Sequence, residues 1–193
     1  MKKRAKDYFL LADQYLETAK LTLKVLIENN NSNSGIGNTE EDAIEKMEKR
    51  LLKSDVMLLI PTIFNAYQST ELFLKGLLLL NEKETSMTHE VGNMLDVIEE
   101  IYTEKSEVYK KINGFYNAQI EIINNFKTTN NITTTKELYE SLRYPEDIKK
   151  NKFYDYSDLK YNGEMGIKNF KLLNNFTIYN ETLIENEDRI III

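Results

Sequence analysis

The chain has 193 residues, is 41% hydrophobic and 29% charged, and carries a formal charge of −6 with no cysteine and one histidine. That length suits one folded unit with at most an appendage, and that composition suits an ordinary globular protein. The missing cysteines exclude disulfides, thiolate metal sites and cysteine nucleophiles; the lone histidine excludes a histidine-rich metal site; the acidic balance argues against broad electrostatic binding of nucleic acid but not against a small basic pocket.

Met1-Lys2-Lys3-Arg4 is basic, but no long apolar run follows, so a signal peptide is not expected. No stretch reaches the ~20 apolar residues of a membrane span. The expected location is cytoplasmic. Ala5, Phe9, Ala12, Leu16, Ala19, Leu23 and Leu26 recur at steps of three and four, the pattern of a long amphipathic helix with one core face. Lys6, Asp13, Gln14, Glu17, Lys20 and Lys24 form its solvated side. The polar run Asn29 to Gly35 ends it. Thr39 then has the character of an N-cap, and Glu40, Glu41 and Asp42 suit the positive end of a helix dipole. A short charged helix to about Lys53 follows, and Ser54 or Asp55 can cap the next start. Val56 to Ile60 is apolar and Pro61 interrupts it. Either a helix bends at Pro61 or one begins there; the favoured reading is one bent helix from about Asp55 to Asn81.

On that helix Ile63, Ala66, Tyr67, Thr70, Phe73, Leu74, Leu77 and Leu78 share a core face. Asn65, Ser69 and Gly76 make a small-residue side that lets a second helix come close. Gln68, Glu71 and Lys75 make a polar line, with Glu71 four residues before Lys75, the better order for an ion pair. After a loop over Glu82 to Thr88, Thr88 can cap a helix beginning near His89, with Val91, Met94, Leu95, Ile98 and Tyr102 inward. The next helix is expected from Ser106 to Phe126, with Val108, Ile112, Phe115, Gln119, Ile122 and Phe126 on its core side. Gly114 either weakens it or marks a close contact. A Thr/Asn loop leads to a short helix over Lys136 to Leu142, ended before Pro145. Beyond Glu146 the periodicity fades. A final helix over Met165 to Glu187 is expected, although Thr177-Ile178-Tyr179 also suits a strand. Ile190 to Ile193 is a sticky, β-prone end. The division that follows is a helical bundle over 1–150 and a C-terminal extension over 151–193 that packs on it.

Ala66, Glu71-Leu72 and Leu74-Lys75-Gly76-Leu77-Leu78, followed by Thr88-His89-Glu90-Val91 and Met94-Leu95, resemble the middle of a HEPN domain (higher eukaryote and prokaryote nucleotide-binding). In that family a helix with a Glu and a following Lys leads through a short loop to a His that opens the next helix. Ser141-Leu142-Arg143-Tyr144-Pro145-Glu146-Asp147 is similar to an Arg-Tyr-Pro segment of some bacterial members. The resemblance covers roughly the first three quarters of the chain by its helix pattern. It implies an all-α fold, an HEPN-like up-and-down helical bundle with a less regular C-terminal segment. It also implies a homodimer, since these domains commonly pair.

Many members of that family are ribonucleases marked by an Arg, a polar residue, and a His four to six residues beyond the Arg. Here His89 is preceded by Asn81-Glu82-Lys83-Glu84-Thr85-Ser86-Met87-Thr88, with no Arg, and none of Arg4, Arg50, Arg143 or Arg189 has a His at that spacing. The chain therefore reads as a member without the catalytic signature. The resulting expectation is a non-catalytic binding protein for a nucleotide, an RNA or a cognate protein partner, in a bacterial stress, toxin–antitoxin or phage-defence system, with no cofactor and no metal. Lys75, His89, Arg143 and Tyr144 are the candidate ligand-binding residues. A guanidinium matches phosphate geometry, and a histidine can exchange a proton near neutral pH. The alternatives are a divergent ribonuclease in which His89 and Arg143 meet in space, and a structural interaction subunit. The bland readings stand beside these: His89 capping a helix or bonding a loop carbonyl, Arg143 pairing with Glu140, Glu146 or Asp147, and Glu71 with Lys75 as an ion pair alone.

Overall fold

Helices α1 (Lys2–Asn29) and α3 (Asp55–Leu80) lie against each other along their lengths and form the spine of the molecule. The computed structural model describes residues 2–30, 37–83, 89–103, 105–147 and 152–161, together with scattered positions between 163 and 175. About three quarters of the described residues are helical. All seven apolar residues of the α1 repeat are buried, as a one-sided 3.6-residue period requires. They meet Ala66, Phe73, Leu74, Leu77 and Leu78 of α3 in one core. The helices are tightly packed at Gly76, where a Cβ would lie 2.5 Å from the Phe9 ring. Phe9 in turn packs on Phe73 with ring centroids 5.3 Å apart.

Pro61 sits inside α3, so the helix runs through it rather than starting there. Of the expected core face, Ile63 is only partly buried. The larger departure is the polar line. From Ser69 to Leu79 every residue of α3 is buried, including Glu71 and Lys75. A helix this leucine-rich is covered on all sides, so its polar line turns inward as well.

Helix α2 (Glu40–Leu51) starts as expected, with the Thr39 hydroxyl accepting from the Asp42 N–H, and buries no residue. Helix α4 (Val91–Tyr102) packs on α3 and buries Val91, Met94, Leu95 and Ile98. It begins two residues later than expected: Glu90 is its N-cap, and His89 stands ahead of the helix. Thr88 lies outside the described residues. The expected helix from Ser106 to Phe126 is two pieces, α5 (Glu107–Ile122) and α6 (Asn124–Thr129), broken at Ile123. The side chains of Gln119 and Ile122 lie outside the description. Gly114 marks no close contact, since nothing lies within 4 Å of a Cβ placed there.

Helix α7 (Thr135–Ser141) is opened by a capping box in which Thr134 and Glu137 satisfy each other's backbone N–H groups. After it, β1 (Glu146–Asp147) and β2 (Lys152–Phe153) pair antiparallel, Glu146 opposite Phe153. The chain then returns along the bundle. Asn130 binds the backbone of Asp155 from both ends of its amide, the Tyr156 hydroxyl donates to the Ser141 carbonyl at 2.6 Å, and the Tyr161 N–H donates to Asp55 at 2.8 Å. These bonds tie the segment after β2 to the ends of α6 and α7 and to the start of α3. Ile167, Lys168, Lys171, Leu172, Asn174 and Asn175 are helical, within the bounds of the expected last helix, and Gly163 and Glu164, just ahead of its expected start, are helical too. Thr177 to Tyr179 and Ile190 to Ile193 lie outside the described residues. Among the described residues, no helix is long and apolar enough to cross a membrane.

Candidate functional site

The site is built around Tyr139, which α7 pushes into the bundle so that its hydroxyl donates to Gln68 Oε1 of α3 at 2.5 Å. The ring is almost wholly buried, and Phe64 packs on it at 5.4 Å. His89 lies stacked on it, with centroids 4.2 Å apart and planes 14° from parallel. The Arg143 guanidinium sits 5.2 Å from the same ring and 5.1 Å from the ring of Tyr144. Tyr139 and Arg143 are four apart, so one helical turn places ring and cation on the same face.

Behind His89 lies the buried part of the site. Its Nδ1 is 2.9 Å from Glu71 Oε2, while the other carboxylate oxygen, Oε1, accepts from the Lys75 ammonium at 2.6 Å. Glu71 is 1% exposed and Lys75 7% exposed. A carboxylate placed there without partners would be strongly disfavoured, and two charge-assisted hydrogen bonds supply them. A carboxylate oxygen only accepts, so a hydrogen bond to it calls for the tautomer with the proton on Nδ1. Glu90, the next residue, accepts from the Thr135 hydroxyl at 3.1 Å and ties the His89 segment to the start of α7.

His89, Tyr139, Glu140, Arg143, Tyr144, Glu146 and Asp147 line a cleft of about 370 Å³. Arg143 and Tyr144 are exposed there, and His89 is half-buried. Among the described residues, no ion pair joins Arg143 to Glu140, Glu146 or Asp147; its contacts are the two tyrosine rings. Burial pushes the Tyr139 hydroxyl above the usual tyrosine range, the Glu71 charge adds to this, and Arg143 pulls the other way. Tyr67 and Tyr116, whose rings meet at a tilt of 51° with centroids 6.1 Å apart, are also pushed up, chiefly by burial. The Tyr67 hydroxyl faces Tyr116 and Thr135 but falls short of hydrogen-bond geometry with either.

Of the four residues singled out from sequence, the fold brings His89, Arg143 and Tyr144 into one cleft. Lys75 sits one step back, buried, joined to His89 through Glu71. Tyr139, Gln68 and Glu71 were not among the four. The Tyr139–Arg143 spacing was the available signal for the first of them. Among the described residues, no group of three or more His, Asp or Glu side chains could hold a metal ion. A planar ring, a guanidinium, an imidazole and three carboxylates can together hold a small ligand that offers an anion, a stacking face and hydroxyl groups.

The family model for the HEPN domain matches residues 41–162. The matched span includes α3, His89, α7 and the hairpin. No curated protein and no solved structure matches the chain.

Proposed function

The chain belongs to the HEPN domain family, and from that premise we propose that its cleft binds a nucleotide, or the phosphodiester of a single RNA strand, without cutting it. The observation that carries this reading is Tyr139 presenting His89 and Arg143 together at the cleft. Arg143 holds the phosphate, and Tyr144 offers an exposed face to a base. The non-catalytic half rests on two things. No Arg precedes His89 at the family's ribonuclease spacing. Glu140, Glu146 and Asp147 also place negative charge where a phosphorane intermediate needs positive charge.

Titration calorimetry with adenosine 5′-monophosphate and with a short single-stranded RNA tests the reading. The expected result is binding by the wild type and a loss of about tenfold or more in Arg143→Ala, the scale of a hydrogen bond to a charged group. Binding of neither probe overturns it. The family connection further suggests a two-fold homodimer and a role in bacterial toxin–antitoxin, stress or phage-defence systems. A nucleotidyltransferase or antitoxin gene beside this one supports that setting, with the encoded protein as cognate partner.

The Glu71–His89 bond favours a second reading, a divergent ribonuclease. A carboxylate that holds one ring nitrogen aligns the other to take a proton. Cleavage of RNA by the wild type, abolished in His89→Ala and Arg143→Ala, selects this alternative.

A further inference from the structure

Glu71 is shared by two partners of different kinds. Lys75 only donates hydrogen bonds, whereas His89 donates or accepts according to its tautomer. The ammonium is 2.6 Å from Oε1 and the imidazole Nδ1 is 2.9 Å from Oε2, with Glu71 1% exposed. We infer that Lys75 and Glu71 together decide which nitrogen of His89 carries the proton, leaving Nε2 at the cleft as an acceptor that selects a ligand hydroxyl or amine.

Both parts of this pair are needed. Lys75 holds one carboxylate oxygen, so the other faces the imidazole. The stacked Tyr139 ring holds the imidazole plane, so the edge opposite Nδ1 turns away from the buried carboxylate and toward the cleft His89 lines. A phosphate oxygen, itself an acceptor, gains nothing from an unprotonated Nε2, whereas a ribose hydroxyl does. Arg143 and His89 thereby divide the ligand: the cation takes the anion, the imidazole takes a hydroxyl. Glu71 and Lys75 are positioning residues in this account, since neither reaches the cleft.

The substitution Glu71→Gln makes the inference sharp. The amide oxygen must face the Lys75 ammonium, so the amide NH₂ faces His89. That reverses the hydrogen bond and moves the imidazole proton to Nε2. Adding Lys75→Met removes the constraint and lets either end of the glutamine amide face His89, so the forced Nε2–H tautomer is lost. A purely space-filling role for Glu71 does not produce such a reversal, nor its relaxation when Lys75 is removed.

The inference rests on the proposed reading of the cleft only for its ligand; the tautomer can be read without one. The single histidine makes the readout unambiguous: two-bond nitrogen–proton correlation spectra of ¹⁵N-histidine-labelled protein at about pH 8, above the ordinary histidine range. Expected are Nδ1–H in the wild type, Nε2–H in Glu71→Gln, and a mixture of the two tautomers in the double variant. An Nε2–H or imidazolium signature in the wild type overturns the inference whether or not the variants fold, and so does an unchanged tautomer in folded Glu71→Gln. For ligand selection, adenosine 5′-monophosphate should bind the wild type about fivefold more tightly than 2′,3′-dideoxyadenosine 5′-monophosphate, the scale of a neutral hydrogen bond, with the preference lost in Glu71→Gln. Equal affinities overturn the selection, and so does binding of neither, which overturns the proposed function as well only when the RNA also fails to bind; the tautomer result stands by itself.

Discussion

Glu71 and His89 are 18 residues apart in the chain and 2.9 Å apart in the fold. That bond joins a wholly buried helix position to a side chain on the wall of a cleft. It makes the interior charge of Glu71 part of the site, and it fixes the ring that Tyr139 supports from one face. Stability and binding are therefore linked at this residue.

Glu71→Ala should cost roughly 3–5 kcal/mol, because it strands a buried Lys75 ammonium. The neutral pair Glu71→Gln with Lys75→Met should lose less than half as much, since no buried charge remains. Urea unfolding followed by circular dichroism measures both. Equal losses would show that the pair contributes through shape rather than charge.

Gly76→Ala and Gly114→Ala should move stability in opposite directions. At Gly76 the new methyl group meets the Phe9 ring at 2.5 Å, and that ring is held by Phe73, so a loss of about 1–3 kcal/mol is expected. At Gly114 nothing lies within 4 Å, and alanine gains about 0.4–1 kcal/mol by restricting the unfolded chain. Paired urea titrations decide this; a stabilising Gly76→Ala would deny the close approach of α1.

Alkaline pH should unfold the protein through its buried tyrosines. Tyr67, Tyr116 and Tyr139 are pushed above the ordinary value, first by burial, so the fold favours their neutral form. The stability this provides is fully present below about pH 10, the unfolded value, and is lost as pH rises toward the folded ones. Tyrosinate absorbance and helical circular dichroism, followed together, should show some phenols ionising only as helix is lost. Tyr67→Phe should move that loss to higher pH. Ionisation of all 12 tyrosines near pH 10 with the helices intact is the opposite result.

Tyr139→Phe and Tyr139→Ala separate the ring from its hydroxyl. The phenyl ring still supports His89 and Arg143 and loses only the bond to Gln68, so nucleotide binding should fall by no more than a few-fold, on the scale of one neutral hydrogen bond of about 1 kcal/mol. Alanine removes the surface on which both cleft residues rest, and binding should be lost in calorimetry. Similar affinities for the two variants would place the ligand elsewhere.

The sequence was most legible where burial is one-sided. In α1 the seven apolar positions stand alone at helical spacing, and all seven are core. It was least legible where burial surrounds an element. Gln68, Glu71 and Lys75 form a polar line whose burial the spacing does not show, and the leucines on every other side of α3 draw Glu71 and Lys75 inside. The break at Ile123 has no glycine or proline to announce it. The β1–β2 hairpin is two residues per strand, too short for any period to show. His89 and Arg143 were visible as chemistry, but their meeting depends on Tyr139, a residue that reads as ordinary core.

One measurement bears on the central claim most directly: incubation of the wild type, His89→Ala and Arg143→Ala with end-labelled single-stranded RNA, reading retardation and chain length on the same samples. The expected result is RNA retarded and full-length with the wild type, and free and full-length with both variants. RNA shortened by the wild type but left whole by either variant would contradict the account and make the cleft a ribonuclease site.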